Sequence, residues 1–162
     1  MIMLALMTAP YVGALILNSA SGRQYDLRAA AAIGLGILFA FTGIGHFVQT
    51  ELMAMMLPEH VPGRVPLVYL TGVVEFVIAA GFFLPQHRQL AGWAAAAALV
   101  LFFPANVYAA INQVPMGGHA WGAVYLLVRA PLQIIILFWV YWFTIRQPGK
   151  ALHADAPRAA RR

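Results

Sequence analysis

The chain has 162 residues, of which 62% are hydrophobic and only 9% charged, and its mean hydropathy is +0.78. A soluble domain carries about 25% charged residues, so this composition excludes an ordinary soluble fold and leaves one small membrane bundle. The absence of cysteine excludes disulfides, thiolate metal sites, iron–sulfur clusters and dithiol redox chemistry. The net charge is +5, but no aromatic residue interleaves with the basic C-terminal tail, so nucleic acid is not an expected partner.

A helix needs about 20 apolar residues to cross a bilayer. The first apolar stretch, Met1–Leu17, lacks the positive n-region of a secretory signal, so cleavage is not expected. It contains Pro10 and Gly13, and residues 1–20 read either as a fifth, short helix or as an interfacial segment. Four segments qualify outright: Ala29–Val48, Pro66–Leu84, Leu90–Ala110 and Val124–Phe143. The expected fold class is therefore an all-α membrane protein, a four-helix transmembrane bundle over residues 29–143 with room for the extra N-terminal helix. Residues 147–162 are polar and rich in Ala and Arg, and read as a disordered basic tail able to touch anionic lipid.

Basic residues orient the unit. Arg23 and Arg28 precede the first of the four spans, His87 and Arg88 lie in the second connection, and Arg146, Lys150, Arg158, Arg161 and Arg162 follow the last. The opposite loops carry only Arg64, against Glu51 and Glu59. The expected placement is multi-pass in a membrane, with the C-terminus cytoplasmic. Trp139, Tyr141 and Trp142 read as interfacial anchors at the inner end, and Trp121 and Tyr125 at the outer end. The first outer loop, Gln49–Val65, is apolar and broken by Pro58 and Pro62; it either lies on the surface or folds back as a lid. The second, Gln113–Gly122, reads as flexible.

Glu75 and Arg129 are the only charged residues inside the four spans. Each costs roughly 2.5–3.5 kcal/mol on insertion scales and needs a partner, water or a task. At ~1.5 Å of rise per residue, Glu75 lies about 13 Å below the outer boundary. His46, Asn106, Arg129 and Gln133 fall in the same outer half. Thr42 lies one turn from His46 and Thr71 one turn from Glu75, on shared faces. Pro104 and Pro131 free backbone acceptors at Val100 and Leu127 at that level. Ala32, Gly36 and Ala40 form a small-residue row for close helix packing. The simplest arrangement is one polar pocket, with Glu75 and His46 as candidate catalytic residues and Arg129, Asn106, Gln133, Thr42 and Thr71 as candidate ligand-binding residues. The alternative is a structural Glu75–Arg129 ion pair holding helices together. No metal site is expected: His46 and Glu75 supply two ligands, Asn106 a poor third, and His60 and His119 lie on outer loops.

The runs Thr42-Gly43-Ile44-Gly45-His46-Phe47, Tyr69-Leu70-Thr71-Gly72-Val73-Val74-Glu75, Leu84-Pro85, Phe103-Pro104-Ala105-Asn106-Val107-Tyr108 and Arg129-Ala130-Pro131-Leu132-Gln133 together resemble the DoxX-like family of small integral membrane proteins, in order, over about residues 29–143. Ala130 stands where that family often has leucine. The resemblance implies a four-helix bundle in a bacterial inner membrane, a link to thiosulfate:quinone oxidoreduction or to oxidative-stress membrane complexes, and His46, Glu75, Asn106, Arg129 and Gln133 as site residues. The absence of cysteine argues against a thiol-linked role. The functional expectation is a pocket in the outer half of the bundle for a small lipophilic or quinone-like molecule, as part of a membrane redox complex; whether the protein is an enzyme, an oxidoreductase subunit, stays open. The only cofactor envisaged is a quinone, and the expected surroundings are the lipid bilayer and redox-complex subunits, with the oligomeric state open. The alternative is a non-enzymatic scaffold or assembly factor.

Overall fold

The computed structural model describes residues 2–22 and 24–146; the expected disordered tail, 147–162, lies outside them. It is an all-α membrane bundle. The helices are α1 (Ile2–Ser21), α2 (Leu27–Val48), α3 (Thr50–Ala54), α4 (Arg64–Phe83), α5 (Arg88–Ile111) and α6 (Leu126–Val140). A 3-10 stretch, Gly117–Tyr125, leads into α6, and a π turn, Tyr141–Ile145, follows it. Among the described residues, five helical stretches are long and apolar enough to cross a membrane, including Ile2–Ser21. The N-terminal segment is thus a full-length helix of 20 residues, longer than the short one expected.

Small residues set the spacing. A Cβ on Gly34 would meet the Met7 carbonyl oxygen, so α1 lies directly against α2, with Met7 fully buried at the crossing. On the α4 side of α2, Gly36 faces the Phe83 ring and Gly43 the Phe76 ring. Gly72 of α4 in turn makes room for the His46 side chain: a Cβ there would come within 2.7 Å of it. Without these glycines the α2–α4 pair could not approach closely enough to bring His46 onto α4.

The core is apolar and runs through the middle of the bundle. Leu35, Phe39, Ile78, Phe82, Ala95, Ile136 and Val140 are buried there. Phe39 and Phe82 pack with ring centroids 5.9 Å apart. Tyr11 of α1 reaches Trp139 at 5.3 Å and Phe143 at 5.2 Å, tying the N-terminal helix to the far side of the bundle. Trp139 is therefore a packing residue rather than the free interfacial anchor expected. Tyr141 and Trp142 are exposed, and the Arg146 guanidinium sits 4.1 Å above the Trp142 ring, as suits an anchor at a membrane boundary.

The α2–α4 and α5–α6 connections, at the same end of the bundle, both fold inward. In the first, α3 presents Met53, and Met56 and Leu57 follow, all lining the interior cavity. Arg64 Nη1 donates to the Leu57 carbonyl at 3.4 Å, and Gly63 starts α4 from the left-handed region, φ 65°. This is the fold-back lid, not the surface-lying alternative. The second connection, expected to be flexible, is a built cap. Its chain reverses at Gly122, φ 76° and ψ −157°, a conformation glycine adopts readily and other residues do not.

Candidate functional site

A cavity of about 420 Å³ lies between the helices, under α3 and the Gly117–Tyr125 cap. That is within the range of small-molecule sites, about 300–1,000 Å³. Its wall is mostly apolar, and Thr42, His46, Thr71, Glu75, Asn106 and Arg129 all line it. Six of the seven candidate residues thus converge from α2, α4, α5 and α6. Gln133 does not. It is buried at 6% exposure, and its Nε2 donates to the Leu99 carbonyl at 2.9 Å, joining α6 to α5. It is turned away from the cavity and serves as an interhelical tie.

On one wall, the Glu75 carboxylate faces His46, with Oε2 3.6 Å from Nε2. Glu75 is 7% exposed and its Oε2 makes no hydrogen bond. The other ring nitrogen defines the protonation. His46 Nδ1 lies 3.1 Å from the Val68 carbonyl and 3.0 Å from Thr71 Oγ1. Thr71 spends its own hydrogen on that same carbonyl, at 2.8 Å. A carbonyl only accepts, so Nδ1 carries a hydrogen. In a neutral imidazole Nε2 is then a lone pair, and it would face the lone pairs of an ionised Glu75. The contact is favourable only when the two groups share one proton, as imidazolium and carboxylate or as imidazole and carboxylic acid.

On another wall, Asn106 donates from Nδ2 to the Phe102 carbonyl at 2.9 Å. This fixes its amide so that Oδ1 accepts from Arg129 Nε at 3.0 Å. Arg129 Nη1 is buried and unpartnered. The structural Glu75–Arg129 ion pair is not present: among the described residues the carboxylate's ion-pair partner is His46. The reason is the α2–α4 approach at Gly72, which puts an imidazole beside Glu75, while Arg129 is held toward α5 by Asn106. The Arg129 guanidinium brings a positive charge to the cavity wall.

Two polar residues of the cavity wall were not among the candidates. His119, placed on an outer loop, is only 6% exposed and lines the cavity from the cap. Its Nδ1 donates to the Met116 carbonyl at 2.9 Å, and its Nε2 is buried without a partner. Tyr125, expected as an interfacial anchor, lines the cavity instead and packs edge-on against His119, centroids 4.8 Å apart. The signal was the glycine spacing around His119: Gly118 leaves no room for a Cβ beside the Tyr125 ring, and Gly122 turns the chain. No group of three or more His, Asp or Glu side chains able to hold a metal ion occurs among the described residues.

The chain belongs to the family described as a domain of unknown function, DUF8561, whose model matches residues 35–144. The match begins within α2, so α1 lies outside it, while every polar cavity residue named above lies inside it. No curated protein matches the chain, and no solved structure does.

Proposed function

We propose that this protein holds a small lipophilic, quinone-like molecule in the outer half of its bundle, within a bacterial inner membrane and with the C-terminal side cytoplasmic. The observation that carries this reading is the cavity itself: an apolar chamber with unpartnered polar atoms of His119 and Arg129 on its wall or just behind it. Polar atoms buried without partners cost about 1–3 kcal/mol each. A bound molecule with matching oxygens offsets that cost. Arg129 Nη1 supplies a donor, and the guanidinium charge favours an electron-rich oxygen acceptor such as a carbonyl. The His46–Glu75 pair supplies one exchangeable proton close to the outer side. Methionines of the lid and cap give a polarisable wall suited to a flat ring. A subunit of a membrane redox complex is the setting that the DoxX-like motifs and this chemistry fit together.

The second reading is a non-enzymatic scaffold or assembly factor. The two polar ties, His46–Glu75 across α2 and α4 and Asn106–Arg129 across α5 and α6, favour it as far as they go. Ties alone would need no cavity between them. Native mass spectrometry of the protein purified in mild detergent, followed by lipid extraction, separates the two. A co-purifying quinone-class molecule that is lost in Arg129→Met supports the first reading. A stoichiometric protein partner with an empty cavity supports the second.

A further inference from the structure

The hydrogen-bond polarity of the cap goes further than the pocket reading, on which the following rests. His119 Nδ1 lies 2.9 Å from the Met116 carbonyl, which can only accept. Nδ1 therefore bears the hydrogen, and the neutral ring presents Nε2 as a lone pair. That atom is buried and unpartnered, on a residue that is 94% buried by its 6% exposure and that lines the cavity. The ring cannot simply swing away: Tyr125 packs edge-on against it, and the Tyr125 ring is itself wedged against Gly118.

The cavity thus makes two opposite demands. Arg129 offers donors and asks for an acceptor oxygen. His119 offers an acceptor and asks for an O–H or N–H donor. A quinone carbonyl meets only the first, since its oxygens would face the His119 lone pair. A phenolic hydroxyl meets both. We infer that His119 is a ligand-binding residue and that the site takes a hydroxylated aromatic ring, a quinol, in preference to the corresponding quinone. The surrounding wall agrees with a planar ring, because Met53, Met56 and Met116 face the cavity together with Phe102 and Tyr125, and thioethers pack well on aromatic faces and edges.

The test uses the full chain in lipid nanodiscs under anaerobic conditions. Three probes are titrated: a short-chain benzoquinol, its benzoquinone and the quinol dimethyl ether, which keeps the ring and loses the hydroxyl hydrogens. The quinol is expected to bind about ten-fold more tightly than the other two, the factor that one lost hydrogen bond to a buried acceptor produces. In His119→Phe the three affinities are expected to converge. Equal binding of quinol and quinone by the unaltered protein overturns the inference and leaves the pocket reading standing, as does a His119→Phe protein that keeps the preference. Should that variant fail to fold, the ether comparison on the unaltered protein decides. If none of the three probes binds, the pocket reading falls and takes this inference with it.

Discussion

Glu75 Oε2 lies 3.6 Å from His46 Nε2, and that contact, not an ion pair with Arg129, is how this chain accommodates a carboxyl group at membrane depth. Since His46 Nδ1 is committed to the Val68 carbonyl and Thr71, the 3.6 Å contact of Nε2 with Oε2 is what couples the pair. Glu75→Gln can replace it, because a side-chain amide donates to Nε2. Glu75→Leu cannot, and it leaves a buried acceptor unpaired at a cost of about 1–3 kcal/mol. Thermal unfolding in detergent should therefore place Glu75→Gln within about 1 kcal/mol of the parent and Glu75→Leu clearly below it. If the amide variant falls as far as the leucine one, a charged imidazolium–carboxylate pair is the state that matters, and the shared-proton account with a neutral imidazole is wrong.

The Arg129–Asn106 contact gives a second, independent expectation. Arg129 Nε donates to Asn106 Oδ1 at 3.0 Å, and Asn106 is itself fixed by the Phe102 carbonyl. Hydrogen bonds to charged groups are worth about 1.5–3 kcal/mol. A double-mutant cycle with Arg129→Met and Asn106→Leu should show a coupling energy of that order. Arg129→Lys should lose most of it despite keeping the charge, because the ammonium lacks the fixed guanidinium fork. Additive single effects would mean that the contact contributes nothing to stability.

The spans were legible in the sequence because membrane depth forces long apolar runs. Expected segments 66–84 and 90–110 became α4, Arg64–Phe83, and α5, Arg88–Ile111. The pocket residues were legible for a related reason: a polar side chain is expensive in lipid, so its depth along a helix predicts where it must face. The partner of Glu75 was not legible. It depends on how closely α2 approaches α4 at Gly72, a distance that no periodicity encodes. Gln133 shows the limit of the depth argument, since a residue at the right level turned toward the Leu99 carbonyl instead. His119 shows the opposite limit. Loops carry no periodicity, so burial of a loop side chain has to be read from steric cues such as Gly118 and Gly122.

Those cues can be challenged directly. A Cβ at Gly118 would run into the Tyr125 ring, and overpacking of this kind costs about 1–3 kcal/mol. Gly118→Ala should push Tyr125 off His119 and loosen the cap, seen as faster amide hydrogen exchange over residues 112–125 with α2 and α4 unchanged. Gly13→Ala, where nothing lies within 4 Å of the new Cβ, serves as the control and should leave exchange unaltered. A cap that exchanges at the parental rate in Gly118→Ala would mean that Tyr125 has another way to pack, and that His119 is not held as tightly as its geometry requires.

Topology decides which aqueous phase the cavity's proton can reach, and the cysteine-free sequence makes it measurable. Arg28 and Arg146 meet at one end of the bundle, where Arg28 Nη1 donates to the Arg146 carbonyl at 2.8 Å. Arg88 belongs to the connection between α4 and α5, so five spans place it at that same end. The lid with Glu51 and Glu59 lies at the other. By the excess of basic residues the first end is expected to face the cytoplasm. Single cysteines at Ser21 and Gln86, both exposed, should then react with a membrane-impermeant maleimide only after permeabilisation, and one at the exposed Glu59 should react in intact cells with the outer membrane opened. Labelling of Ser21→Cys on the same side as Glu59→Cys would mean that α2, the span between them, does not cross. Labelling of all three in the reverse sense would turn the lid, the cap and the His46–Glu75 pair toward the cytoplasm, and the proton would exchange with the opposite phase.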